Sequence, residues 1–293
     1  MRERILLTGA GGQLGRELWA ALAPLGDIAA CDHAALDLAD PDAIVRKVRD
    51  VAPTLIVNAG AYTAVDRAEN DRAAAFAVNA TAPGILAAEA KRYSAVLIHY
   101  STDYVFDGAQ RTPYTESARP NPQSIYGTSK LDGERAIASE GAAALVFRTS
   151  WVYGLAGKNF LLTMQKLAAE RDELRVVSDQ AGVPNWTRSL AGATAVLAGR
   201  GTGYLADRAG LYHLSATGET TWYEFARAII GEAARVVPIT TADYPTPACR
   251  PAYGVLGTQL FRRTFGFALP EWRSVLQQCM QSPAEPPTLP VVG

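Results

Sequence analysis

The first half of the chain alternates short apolar runs with stretches of helical period. RILLTG (4–9), DIAACD (27–32), TLIVNAGA (54–61), AVLIHYST (95–102) and AALVFRTS (143–150) read as buried strands. Between them, QLGRELWAALAPLG, DPDAIVRKVRDVAP, AAAFAVNATAPGILAAEAKRY and TSKLDGERAIASEG carry apolar residues at helical spacing, and several stop at Gly or Pro. Strands alternating with helices predict an α/β fold with a doubly wound parallel sheet, helices on both faces. After residue 150 the rhythm is less regular. Helices are expected at 158–171, 186–200, 221–234 and 270–280, with short strands near 174–178 and 210–215.

The loop after the first strand adds chemistry to this pattern. ILLTGAGGQLGREL runs from strand through Gly9, Gly12 and Gly15 into a helix. Small residues let main-chain amides approach a pyrophosphate, and the helix N-terminus adds partial positive charge. An empty tight turn would use the same glycines. The position of the loop, and Asp32 at the end of the next strand, favour a Rossmann-like NAD(P) site in which the carboxylate meets the adenosine ribose. Asp37 and Leu38 lie where such a fold passes the adenine, or else simply precede a helix N-terminus. The expected division is an NAD(P)-binding unit over 1–150, to which segments such as 186–215 return. A smaller, partly interleaved substrate unit covers 151–280, and a loose Pro-rich tail covers 281–293.

SIYGTSKLDGE places Tyr126 and Lys130 one helical turn apart. With 12 Tyr and five Lys in 293 residues, chance supplies roughly 0.2 such pairs. The structural reading is a half-buried tyrosine and a solvated lysine on a helix surface. The chemical reading is a phenol whose pKa is lowered by the neighbouring ammonium, making a proton donor. HYSTDYVFDG (99–108) ends a strand with Tyr100, Ser101, Thr102 and Asp103, and NAGAYTAVD (58–66) ends another. Strand ends and this helix are expected to converge on one crevice.

Composition narrows the field. The chain is 48% hydrophobic and 19% charged, as in ordinary soluble proteins, and its net charge of −1 disfavours nucleic-acid or anionic-membrane binding. Cys31, Cys249 and Cys279 fit neither a disulfide framework nor a zinc site, which implies a reducing compartment, the cytoplasm. The opening apolar run is too short for a signal peptide, and no stretch of about 18 apolar residues is apparent.

Together, Gly9-x-x-Gly12-x-x-Gly15, Asn58-Ala-Gly-Ala, Ser101-Thr102-Asp103 and Tyr126-x-x-x-Lys130 resemble the extended short-chain dehydrogenase/reductase family. AYTAVDRAE, YGTSKLDGE, FRTSWVYG, SDQAGVP, GLYHLSATGETTWYEFA and YPTPACRP narrow the resemblance to its dTDP-4-dehydrorhamnose reductases. The resemblance implies a dTDP-sugar substrate and NADPH or NADH as cofactor. It implies that Tyr126 protonates a sugar 4-keto oxygen, Lys130 lowers the phenol pKa and holds the nicotinamide ribose, and Thr102 bonds the reacting oxygen. Gly12, Gln13 and Leu14 would line the pyrophosphate; Asp32, Asp37 and Leu38 would face the adenosine; Ala61, Tyr62, Thr63 and Tyr100 would flank the cofactor. Asp103 and Trp151 would contact the deoxysugar, although an aromatic after a strand also suits a core. The chain departs from the pattern in two places. Tyr253 and Gly254 stand where relatives usually carry Asn and Ser, and Arg188 stands where some carry a glutamate at a metal-bridged subunit contact. The expectation is therefore no metal, and a monomer or weak homodimer. An epimerase or dehydratase of another nucleotide sugar, or a noncatalytic NADP-binding regulatory subunit, would share much of this pattern.

Overall fold

The computed structural model describes residues 3–283; most of the expected tail lies outside them. Six parallel strands form the central sheet: β1 (Glu3–Thr8), β2 (Gly26–Cys31), β3 (Leu55–Asn58), β4 (Val96–Thr102), β5 (Ala144–Thr149) and β6 (Gly210–His213). Their spatial order is β6-β5-β4-β3-β1-β2. β1 pairs with β2 on one side and β3 on the other, so the winding direction reverses between β1 and β3. That reversal opens a crevice at the strand C-termini, where ligands bind in open α/β sheets.

The strands form where their residues can be buried on both faces. Every residue of β3, β4 and β5 is buried, which is why they are continuous apolar runs rather than alternating ones. Helices α1 (Gln13–Leu22), α2 (Pro41–Val51), α3 (Ala82–Arg92) and α4 (Ile125–Glu140) follow the expected segments. α1 stops four residues short of its expected end, before Pro24. α3 continues a helical run that begins at Arg72 and passes through a π turn at Ala77–Thr81. This run, Arg72–Arg92, is long and apolar enough by composition to cross a membrane, contrary to the reading of the sequence. Its buried face packs on α2 and α4, as a core helix does.

Beyond β5 come α5 (Phe160–Glu170), α6 (Thr187–Ala198), α7 (Trp222–Ile230) and α8 (Trp272–Gln281). α6 packs on α1, and β6 joins the central sheet beside β5. A separate core gathers Tyr153, Leu161, Val183, Phe225, Trp272 and Val275. Small sheets complete this part, including Glu173–Val177 paired with Arg235–Ile239. The latter strand and the helix Gln259–Phe265 are additions to the sequence reading. The first carries Pro238 in a short run; the second is too short to show a period.

Candidate active site

The glycine turn makes the first wall of the crevice. Gly9 has φ +70°, and a Cβ there would lie 2.4 Å from the Gly60 nitrogen, so the turn and the end of β3 can meet only at glycines. A Cβ at Gly15 would fall 2.0 Å from the Gly9 carbonyl oxygen. Gly12 is the N-cap of α1 and supplies no side-chain bond to its first turn. Those amides and the helix dipole therefore suit a pyrophosphate. The Gln13 side chain reaches elsewhere: Nε2 donates to the Lys158 carbonyl (3.2 Å) and Oε1 accepts from Asn159 (2.8 Å), tying α1 to the loop before α5. Leu14 leans on the core.

Asp32 is exposed just past β2, with Oδ1 accepting the Ala35 N–H (2.9 Å). Asp37 accepts the Ala39 N–H (2.8 Å), while Asp40 is the N-cap of α2. Leu38 is buried beside Gly60. The Ala61–Thr63 loop is pinned by Asn79, which accepts the Tyr62 N–H (2.9 Å), donates to the Tyr62 carbonyl (3.0 Å) and reaches Ser129 of α4 (3.1 Å). Asn79 lies in the π turn, a distortion common at functional sites. Nothing in the sequence signals its role.

α4 carries the second set of groups. Ser124 caps it, accepting the Gly127 N–H (3.1 Å). Tyr126, Lys130 and Glu134 follow at i, i+4 and i+8 on one stripe. The Tyr126 hydroxyl lies within reach of Thr102, and its ring meets Tyr104 edge-on at 5.5 Å. Thr102 Oγ1 donates to Asp103 (3.1 Å) and accepts the Tyr104 N–H (3.2 Å). Burial raises the Tyr126 pKa above that of free tyrosine, with the nearby Thr102 hydroxyl opposing and the Asp103 charge adding to the rise. The expected lowering by Lys130 is not seen. The lysine is buried, and its Nζ points at the Tyr100 carbonyl oxygen (2.6 Å) and His99 Nε2 (3.3 Å). Burial also pulls the Lys130 pKa down to about 8, against the favourable charge of Glu134. Tyr100 thus meets the site through its carbonyl. Its ring lies in the core, with the hydroxyl bonded to Thr194 (2.6 Å). Beneath this stripe Glu134 holds Arg148 through two bonds (2.8 and 2.6 Å) and accepts from Ser101 (2.5 Å).

The opposite wall is made of side chains from distant segments. Trp151 has φ +44°, an unusual conformation for a bulky residue, and its ring stacks on Trp222 at 3.6 Å while covering Gly182. It keeps partial exposure, so it is not plain core. Asp103 is buried, and desolvation raises its pKa to about 7. A Cβ at Gly254 would approach Asp103 Oδ2 to 2.5 Å, so the missing side chain leaves that carboxyl its room. Tyr253 turns away and donates to Glu219 (2.9 Å). Arg250 bonds Asp66 (2.7 Å) and approaches the Tyr104 hydroxyl (3.4 Å), a link that joins two motifs of the sequence but that no local pattern shows. Outside the crevice, Arg188 grips the buried Glu17 of α1 through two bonds (3.0 and 3.3 Å).

Comparison with known proteins agrees with this geometry. The family model described as the RmlD substrate binding domain matches residues 2–284. A dTDP-4-dehydrorhamnose reductase of Burkholderia thailandensis is 45% identical over 292 residues, covering 95% of this chain and 98% of its own. The enzyme of the same name from Escherichia coli is 44% identical, covering 92% of this chain and 94% of its own. The crystal structure of the Bacillus anthracis dTDP-4-dehydrorhamnose reductase in complex with NADP superposes with a TM-score of 0.89 at 34% identity, over 96% of this chain and 99% of that one. A single family thus spans both walls of the crevice, and the chain belongs to it: it is a member of the RmlD substrate binding domain family.

Proposed function

We propose that this chain reduces the 4-keto group of dTDP-4-dehydro-L-rhamnose to give dTDP-L-rhamnose, with NADPH or NADH as reductant. The observation that carries the reading is the meeting of Tyr126 with Thr102, on the same stripe as Lys130, at the strand ends beside an uncapped glycine turn. The reading divides the chain into a cofactor unit over 1–150, joined by 186–215, and a sugar-nucleotide unit over most of 151–280.

The first-turn amides of α1 would hold the pyrophosphate, with Asp32, Asp37 and Leu38 toward the adenosine and the Ala61–Thr63 loop and Tyr100 carbonyl toward the nicotinamide end. When bound, the reduced nicotinamide supplies the hydride. Thr102 donates a hydrogen bond to the keto oxygen, and Asp103 and Trp151 hold the deoxysugar. Tyr126 gives its hydroxyl proton to that oxygen as the carbonyl π bond breaks, leaving an alcohol on the sugar and a phenolate on the protein. The raised pKa keeps the phenol protonated at neutral pH, the state a donor requires. The nascent alkoxide is a strong base, which is why the step needs a positioned proton donor.

Purified protein mixed with dTDP-4-dehydro-L-rhamnose should consume NADPH or NADH, followed by absorbance, and yield dTDP-L-rhamnose. Absence of turnover with both cofactors would end this reading.

A further inference from the structure

A row of polar side chains crosses the sheet beneath Lys130. The strand registers set Thr8 opposite Asn58 and Asn58 opposite His99. All three are buried. Thr8 Oγ1 donates to Asn58 Oδ1 (2.7 Å), and the Gly60 N–H meets the same oxygen (3.2 Å). A main-chain N–H can only donate, so the atom it meets is the amide oxygen and the other end of Asn58 is the NH2 group. That group faces His99 Nδ1 at 3.0 Å.

The consequence passes along the ring. Nδ1 must accept, so a neutral His99 carries its proton on Nε2. His99 stays neutral, because burial pushes its pKa well below the usual histidine range and any charge on Lys130 pushes it further the same way. Its Nε2–H therefore points at Lys130 Nζ, 3.3 Å away. An ammonium has no lone pair, so a charged Lys130 would set donor against donor. A neutral amine satisfies every group: it accepts from His99 and donates to the Tyr100 carbonyl oxygen at 2.6 Å.

We propose that His99 is a positioning residue whose tautomer, fixed by Thr8, Gly60 and Asn58, favours the uncharged form of Lys130 in the ligand-free protein. The groups acting on the amine are His99 and the Tyr100 carbonyl on β4, and Glu134 on α4. Of these, Glu134 favours the charge, but its carboxylate already serves Arg148 and Ser101. The cation at Lys130 is thus not a fixed feature of the fold. In the ligand-free protein it is lost as pH rises through the lowered midpoint, and a ligand that offers acceptors to outweigh the donor at His99 would hold it to higher pH. This extends the reductase reading, in which Lys130 acts on Tyr126 and the ribose.

The test needs no sugar nucleotide, so its failure is separate from failure of the turnover assay. The chain has three His and five Lys, which makes selective isotope labelling tractable. 15N-labelled histidine should show His99 as the Nε2–H tautomer from pH 6 to 9. The 13Cε resonance of Lys130 should titrate near pH 8, far from an ordinary lysine. His99→Gln replaces the fixed donor with an amide that can turn its oxygen to the ammonium, and should raise that midpoint by about one pH unit or more. Asn58→Asp should raise it while keeping His99, because a carboxylate draws the ring proton to Nδ1. An Nδ1–H tautomer in the wild type, an ordinary lysine midpoint, or a midpoint unmoved in both variants would overturn the proposal.

Discussion

The two walls of the crevice are built from different materials. On the cofactor side the shape is main chain: the turn at Gly9, the uncapped start of α1, the Tyr100 carbonyl and the loop held by Asn79. On the opposite side it is side chains brought from far apart: Trp151 on Trp222, Asp103 against the space at Gly254, and Arg250 between Asp66 and Tyr104. A main-chain wall recognises what every dinucleotide shares. A side-chain wall can change its ligand by single substitutions, so on the proposed reading sugar specificity belongs there. α4 is the seam, with Tyr126 turned to Thr102 and Lys130 turned to the main chain of β4.

The largest effect should come from breaking that seam. Tyr126→Phe keeps the ring and its edge contact with Tyr104 but removes the donated proton, so kcat should fall by about 10²–10⁴-fold with folding and cofactor binding retained. Thr102→Val should also lower kcat while leaving cofactor affinity nearly intact. Lys130→Met sits on the cofactor side of the seam and should lower kcat and cofactor affinity together. Near wild-type turnover in Tyr126→Phe would reduce the Tyr–Lys spacing to helix surface.

Next comes the side-chain wall, through Asp103. Its pKa is raised to about 7 in the folded protein, above that of an unfolded carboxyl. The folded state then holds the proton more tightly. Below about pH 4 both states are protonated and no penalty exists; as pH rises to about 7 the penalty grows, and above that it is constant. Asp103→Asn should therefore raise Tm clearly at pH 8 and hardly at pH 4, the stability gain at the higher pH being up to roughly 4 kcal/mol. Sugar-nucleotide KM should worsen in the same variant. Equal Tm gains at both pH values would show that the carboxyl is not stored in its unfavourable form.

These contrasts also explain what was legible in the sequence. The strands were, because burial on both faces makes LIVN and VLIHYST continuous apolar runs. The glycine turn and the Tyr126–Lys130 spacing were, because both are local. The direction of the Tyr126 pKa was not. Spacing puts Lys130 on the same stripe, but burial depth and the pull of the Tyr100 carbonyl decide where its Nζ goes. His99, Asn79 and the Asp66–Arg250 pair were silent for a related reason. Their partners lie on the neighbouring strand for His99, 17 and 50 positions away for Asn79 and 184 positions away for Asp66, and no period encodes such distances.

A smaller effect is expected at the rim of the main-chain wall. Asp32 stands exposed past β2 with one oxygen on the Ala35 N–H. A carboxylate beside the adenosine ribose hydrogen-bonds the hydroxyls of NADH and repels the 2′-phosphate of NADPH. Either cofactor should serve, with little loss for NADH. Ratios of kcat/KM for the two would measure it, and a preference for NADPH above about a hundredfold, roughly 2.7 kcal/mol, would place Asp32 away from the ribose.

The smallest expected effect lies outside both walls. Glu17 is buried on α1, and its two oxygens are taken by Arg188 at 3.0 and 3.3 Å. A guanidinium held by both oxygens competes with a divalent ion for the carboxylate and adds positive charge where one would sit. Among the described residues no cluster of three or more His, Cys, Asp or Glu is placed to hold a metal. EDTA should therefore leave turnover, Tm and subunit mass unchanged, read by activity, thermal melting and light scattering on the same sample. Loss of mass on chelation, restored by Mg²⁺, would show that a metal joins subunits despite Arg188. Such a result would also point to a contact away from the Glu17–Arg188 pair, since a metal at that pair would have to face the guanidinium charge.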